Sequence, residues 1–242
     1  MLIGGELLAL QQSDFEKCAT FYRTLKLSDA TFTGENLALA KTAHKISFTM
    51  VVMVQKLSSV PEWAKSYLQL MQTDSIQLIP SVIIGNRRSL HLYERACIED
   101  FLRYIYYFDH RIEHVLLQSN PTRFETIDSL IAWIKEYPDL AEYEKSVMMS
   151  CDQLKSGYKE LSKTVHGAAV EGVQPGNSLE QLNQPLPQPI KERELMALIF
   201  RNIFFLLSLF HVDRYREFTL DEKRLVAQHL DSQQKRILQG LM

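Results

Sequence analysis

Arg103 and His110 are seven residues apart in an unusually polar stretch, YERACIEDFLRYIYYFDHRIEH, from Tyr93 to His114. Seven residues make two helical turns, so on one continuous helix both side chains share a face. Arginine is a permanent cation that forks onto phosphate, and histidine exchanges a proton near neutral pH. Together they suit metal-independent scission of a phosphodiester. The histidine would move the proton of the attacking hydroxyl or of the leaving group, and the arginine would hold the phosphate and its developing charge. The same stretch carries Glu94, Arg95, Glu99, Asp100, Arg111, Glu113 and His114. A helix that buries one face rarely carries so many ionisable groups without a use for some of them. The alternative is structural. Arg95–Glu99 and Glu99–Arg103 are both i,i+4 pairs, and such a ladder can simply tie a central helix to its neighbours.

A second polar set lies in YKELSKTVHG, where Tyr158, Ser162 and His166 recur every four residues and form one stripe. It reads as half of a polar site, or as a helix end at which His166 faces the terminal carbonyls. His110 to His114 also satisfies H-x-x-E-H, a zinc pattern, but no third ligand is evident and the surroundings do not match. No metal and no cofactor is expected. Arg87-Arg88 reads as a solvated pair rather than a phosphate clamp. The aromatic run Tyr104, Tyr106, Tyr107, Phe108 reads as core rather than as a platform for stacking bases.

Arg103, six residues, then His110 on a helix of an all-helical chain resembles the R-x4-6-H motif of the HEPN superfamily. The order of an Arg/Glu-rich helix (Arg88–Arg103), then Y-x-x-L-S-x-x-x-H-G ending at His166, then the apolar Ile199–Phe210 is similar to HEPN-like phage-defence proteins. Two departures stand out. Tyr104 occupies a position where the family often has Asn, His or Asp, and the motif lies before the middle of the chain. The resemblance implies a metal-independent ribonuclease or toxin of phage defence or toxin–antitoxin biology. It implies RNA as substrate, a homodimer, and a partner or antitoxin protein. Arg103 would hold phosphate, with His110 or His166 as acid/base, while Arg95, Glu99, Tyr158 and Ser162 orient them or bind substrate. The alternative function is a non-catalytic helical adaptor for a partner protein or nucleotide.

The elements that must position these residues are helices. The chain has 242 residues, 46% hydrophobic and 23% charged, which is enough apolar material for a substantial core. Only 9 Gly and 8 Pro leave little material for strand-and-turn architecture. A net charge of −2 gives no global drive towards nucleic acid, so a nucleic-acid site would have to be a local basic patch. Cys18, Cys97 and Cys151 form no CxxC, and each reads as a reduced, small hydrophobe of a cytoplasmic protein. The N-terminus lacks a basic segment and a cleavage site, so no signal peptide is expected. The apolar run IFFLLSLF (203–210) is too short for a membrane span and reads as a buried helix.

Apolar periodicity predicts helices over Leu7–Leu27, Asn36–Leu57, a segment from Pro61 through Met71, Ser89–Gln118, Thr126–Glu136, Glu142–His166, Ile190–His211 and Leu220–Leu241. FTMVVMV (48–54) alone also suits a strand. Pro80 and Gly85-Asn86 read as interruptions. The Pro-, Gln- and Asn-rich stretch 172–189 reads as a long loop. The expectation is an all-α bundle of about seven to nine helices. Residues 1–80 form an N-terminal helical region packed on a HEPN-like bundle over 81–242.

Overall fold

The computed structural model describes residues 6–24, 32–57, 60–120, 122, 125–166 and 185–241. The described residues form eleven α-helices and no strands, packed as a bundle. They are α1 (Glu6–Thr24), α2 (Gly34–Lys56), α3 (Glu62–Ile83), α4 (Arg87–Asp109), α5 (Arg111–Ser119), α6 (Ile127–Lys135), α7 (Glu144–Val165), α8 (Pro189–Phe210), α9 (Val212–Glu217), α10 (Leu220–Ala227) and α11 (Ser232–Gly240). A 3-10 turn over Pro138–Tyr143 leads into α7. The 172–184 part of the expected loop lies outside the described residues, as do Ser58, Ser59 and Gly167. Pro189 opens α8, where its missing N–H costs nothing.

Five long helices make the frame. α2, α3 and α4 pack side by side, and α7 and α8 lie against α4 and α2. The second half of α8 is buried on all sides. Ile203, Phe204, Phe205, Leu206 and Leu207 are all buried, as befits a helix surrounded by others. FTMVVMV is helical, with Met50, Met53 and Val54 buried against the core. By length and composition α2 is apolar enough to cross a membrane, and much of that apolar surface is buried inside the bundle. Gly157 of α7 lets α8 come close. A Cβ there would stand 3.1 Å from the Ile199 side chain. Cys97 and Cys151 are buried, and desolvation raises both thiols, Cys151 to about 12; Cys18 is partly exposed.

The helix count exceeds expectation because two expected helices are each broken and a short helix, α9, forms between two others. The expected helix Ser89–Gln118 stops at Asp109, and α5 departs from His110, whose backbone (φ −106°, ψ 61°) is non-helical. No proline or glycine causes this. The His110 ring stacks on Tyr106 at 4.0 Å and meets Trp133 edge-on at 5.0 Å, so packing against α6 sets the break. The C-terminal helix is divided by Asp231, whose carboxylate accepts from the Gln234 N–H while Gln234 reaches back, a reciprocal cap. At the end of α8, His211 caps the helix and α9 turns away. Pro80 does not interrupt. It sits in the last turn of α3, which buried Leu78, Val82 and Ile83 hold against the core. The turn comes at Gly85, in the left-handed region (φ 70°), and Asn86 then caps α4 by accepting from the Ser89 N–H at 2.9 Å.

Two histidines are locked inside as neutral rings. The Tyr104 hydroxyl lies 2.5 Å from His211 Nε2, and burial lowers His211 to about 4. His229 Nε2 lies 3.0 Å from Thr49 Oγ1, and burial with the nearby Lys45 charge lowers it to about 3. An unfolded chain binds protons at both rings below about pH 6.5, while the folded one does not, so stability falls with pH below that value. As pH falls from 7 to 4, the denaturant midpoint of His211→Gln is expected to rise relative to that of the wild type measured at the same pH. Phe204→Ala, which empties a site beside His229, is expected to cost about 3–5 kcal/mol in the same measurement.

Candidate functional site

α4 and α7 pack against each other along their length, and their shared edge faces solvent. Along that edge α4 presents Arg88, Arg95, Glu99 and Arg103, spaced by seven and four residues on one ridge. α7 presents Tyr158, Ser162 and His166 opposite. Glu99 is the hub. Its Oε1 accepts from Arg95 Nε at 2.9 Å and from the Tyr158 hydroxyl at 3.0 Å, and its Oε2 lies 3.4 Å from Arg103 Nη2. The Arg95 guanidinium also lies over the Tyr158 ring, 5.1 Å from its centre. Burial and the Glu99 carboxylate both raise the Tyr158 phenol.

Arg95 then reaches across the helix pair. Its Nη1 donates to His166 Nε2 at 2.8 Å. A guanidinium only donates, so the ring accepts through a bare Nε2 and carries its proton on Nδ1. His166 is exposed and caps α7, and beside it Arg88 donates to the Val165 carbonyl at 3.1 Å. The His166 ring thus accepts from a fixed cation at an accessible helix end. Ser162 faces away from this pair in bonding terms, since its hydroxyl donates to its own helix at the Tyr158 carbonyl.

Among the expected site residues, the fold therefore joins Arg95, Glu99, Arg103, Tyr158 and His166 in one connected network. His110 is placed elsewhere. Its Nδ1 bonds the Tyr106 carbonyl at 2.7 Å and its ring lies between Tyr106 and Trp133. His110 and His114 also diverge in their contacts, His114 packing on Tyr67 and Tyr107. Among the described residues, no group of three His, Cys, Asp or Glu side chains is arranged to hold a metal ion. Tyr104 and Tyr107 are core residues.

The opposite side of α4 holds ionisable groups that sequence reasoning passed over. Glu192 of α8 is buried and accepts from Arg87 Nε at 2.7 Å, and it lies 2.6 Å from His91 Nε2. Burial pushes the Glu192 carboxyl up, but His91 and Arg87 outweigh it and hold it below the usual range. Arg87 is thus a half-buried anchor, not the solvated residue expected. Glu94 is fully buried, and neither carboxyl oxygen has a hydrogen-bond partner. Burial, then the Glu192 charge, raises it well above the usual range, so it is a neutral acid. His91 and Glu94 share the stripe of Leu90, Cys97, Ile98 and Phe101, and that spacing was the available signal.

Asp100 lies between the two sides. Burial, and then the Asp74 carboxylate on α3, raise it to about 7, although Arg103 stands 3.8 Å away. A carboxyl whose folded value is raised contributes stability that is complete below its unfolded value near 4 and lost as pH rises through 7. The melting temperature of Asp100→Asn, taken relative to wild type at each pH, is expected to rise as pH goes from about 4 to about 7. Models of known families, curated proteins and solved structures were all compared with the chain, and none matches.

Proposed function

We propose that this protein is a metal-independent, RNA-targeting effector in which Arg95 and Arg103 hold a phosphate and His166 moves the proton. The observation that carries the reading is the 2.8 Å contact between Arg95 Nη1 and the accepting His166 Nε2 at an exposed helix end. The resemblance of Arg103, His110 and the Tyr158–His166 segment to HEPN-like proteins supports the same class. His166 takes the acid/base role, not His110, because His166 touches Arg95 while the His110 ring is held by the Tyr106 carbonyl and packed between Tyr106 and Trp133.

The chemistry follows from the donors present. An RNA phosphate entering the edge accepts from Arg95 and Arg103, and Arg95 turns from His166 towards it. The freed Nε2 takes the proton of the 2′-hydroxyl as that oxygen attacks phosphorus. The bond from phosphorus to the 5′-oxygen breaks, and the imidazolium returns its proton to that oxygen. The products are a 2′,3′-cyclic phosphate and a 5′-hydroxyl. Glu99 is a positioning residue, holding both arginines and the Tyr158 hydroxyl.

A second reading is an adaptor. It is favoured by α5, on which no residue is buried and Ile112, Val115 and Leu116 are exposed along one face. In that reading the arginines are simply paired with Glu99 and Asp100.

The two readings separate in one assay, cleavage of labelled single-stranded RNA in EDTA by folded protein. The wild type is expected to cleave, and Arg95→Ala and His166→Ala are each expected to lose about 100-fold or more. Glu99→Gln is expected to lose less than either. Loss in His110→Ala with His166→Ala unaffected would move the acid/base to His110. No cleavage by folded wild type would leave the adaptor reading in place.

A further inference from the structure

A cavity of about 310 Å³ opens between α1, α2 and the end of α10, away from the α4–α7 edge. Its walls combine three kinds of group. Lys41 and Lys45 stand one turn apart on α2, both exposed, and neither ammonium has an ion-pair partner among the described residues. Gln11, Gln12 and Gln228 add side-chain amides, that of Gln12 donating to the Glu16 carboxylate at 3.1 Å. Phe15 supplies an aromatic face, with Lys41 Nζ 5.9 Å from its ring centre.

The scaffold behind these groups is fixed. His44, buried, bonds the Asp14 carboxylate at 3.0 Å and meets Phe15 edge-on at 5.3 Å, which joins α1 to α2. Gln11 is 5% exposed, and its amide donates to the Lys45 carbonyl at 3.4 Å. Asp14 is spent on His44, and no carboxylate lines the cavity. The lining is therefore cationic and rich in amide donors, with one flat apolar wall. The size is at the lower end of small-ligand sites, which begin near about 300 Å³.

We infer that this cavity binds a mononucleotide, with the phosphate at Lys41 and Lys45 and the base against Phe15. Two ammonium groups one turn apart hold a phosphate by charge and by several donors at once. The Phe15 face stacks a base, and the glutamine amides offer both donors and acceptors to its edge. This site is separate from the Arg95–His166 pair and does not depend on the reading given for it.

The test is calorimetric titration of the full chain with AMP, GMP, CMP and UMP, and with adenosine and inorganic phosphate as half-ligands. At least one mononucleotide is expected to saturate a single site with a Kd below about 1 mM. Adenosine and inorganic phosphate are each expected to bind about tenfold more weakly or worse. The double variant Lys41→Gln/Lys45→Gln changes only exposed side chains and is expected to melt like the wild type while losing about tenfold or more in nucleotide affinity. Phe15→Leu is expected to weaken the nucleotide and leave inorganic phosphate unchanged. Absence of saturable binding by all four nucleotides overturns the inference. So does inorganic phosphate binding as tightly as a nucleotide, or affinity that survives the double lysine variant.

Discussion

α4 is enclosed by α3, α7 and α8, so each ionisable group it carries must find a partner or give up its charge. The helix resolves this differently on each side. Towards α8, Arg87 and His91 hold the Glu192 carboxylate, and Glu94, which finds no donor, stays neutral. Towards α3, Asp100 is pushed up by burial and by Asp74. Towards α7, where solvent reaches, Glu99 collects Arg95, Tyr158 and Arg103 around its carboxylate. The accessible polar edge is thus what remains of α4 after its buried sides have been satisfied or discharged.

That arrangement also accounts for the geometry at His166. Arg95 is held at one end by Glu99 and by the Tyr158 ring, which leaves Nη1 pointing along α7 towards its last turn. Arg88 occupies the Val165 carbonyl, so the arginine that meets the imidazole is Arg95 alone. A helix end that normally attracts cations has two of them supplied here by a neighbouring helix, beside Lys163 of its own last turn.

Much of this was legible in the sequence, for identifiable reasons. The all-helical class followed from apolar periodicity and from the scarcity of glycine and proline. The i,i+4 spacing of Arg95, Glu99 and Arg103 announced the ladder, and the four-residue repeat of Tyr158, Ser162 and His166 announced the facing stripe. The break at His110 was not legible, because neighbouring side chains on α4 and α6 cause it and no local helix breaker does. That break also separates Arg103 from the histidine its spacing seemed to offer. The Asp231 cap was readable as Asp-x-x-Gln but was hidden inside an otherwise helical apolar pattern. Glu192 was missed, and Glu94 was named without its buried place, for a different reason. Charged residues are ordinarily assigned to solvent, and only their place on a buried stripe says otherwise.

The departure of α5 at His110 has a consequence for how the molecule breathes. α5 is nine residues long and has no buried residue of its own. A free helix of that length barely holds together in water. Its amides are therefore protected by little more than their own hydrogen bonds and the edge contacts of Leu117 and His114 with the core. α5 can unwind and reform many times while α4 and α8 stay closed. The bundle thus has a region whose local opening energy is set apart from its global stability.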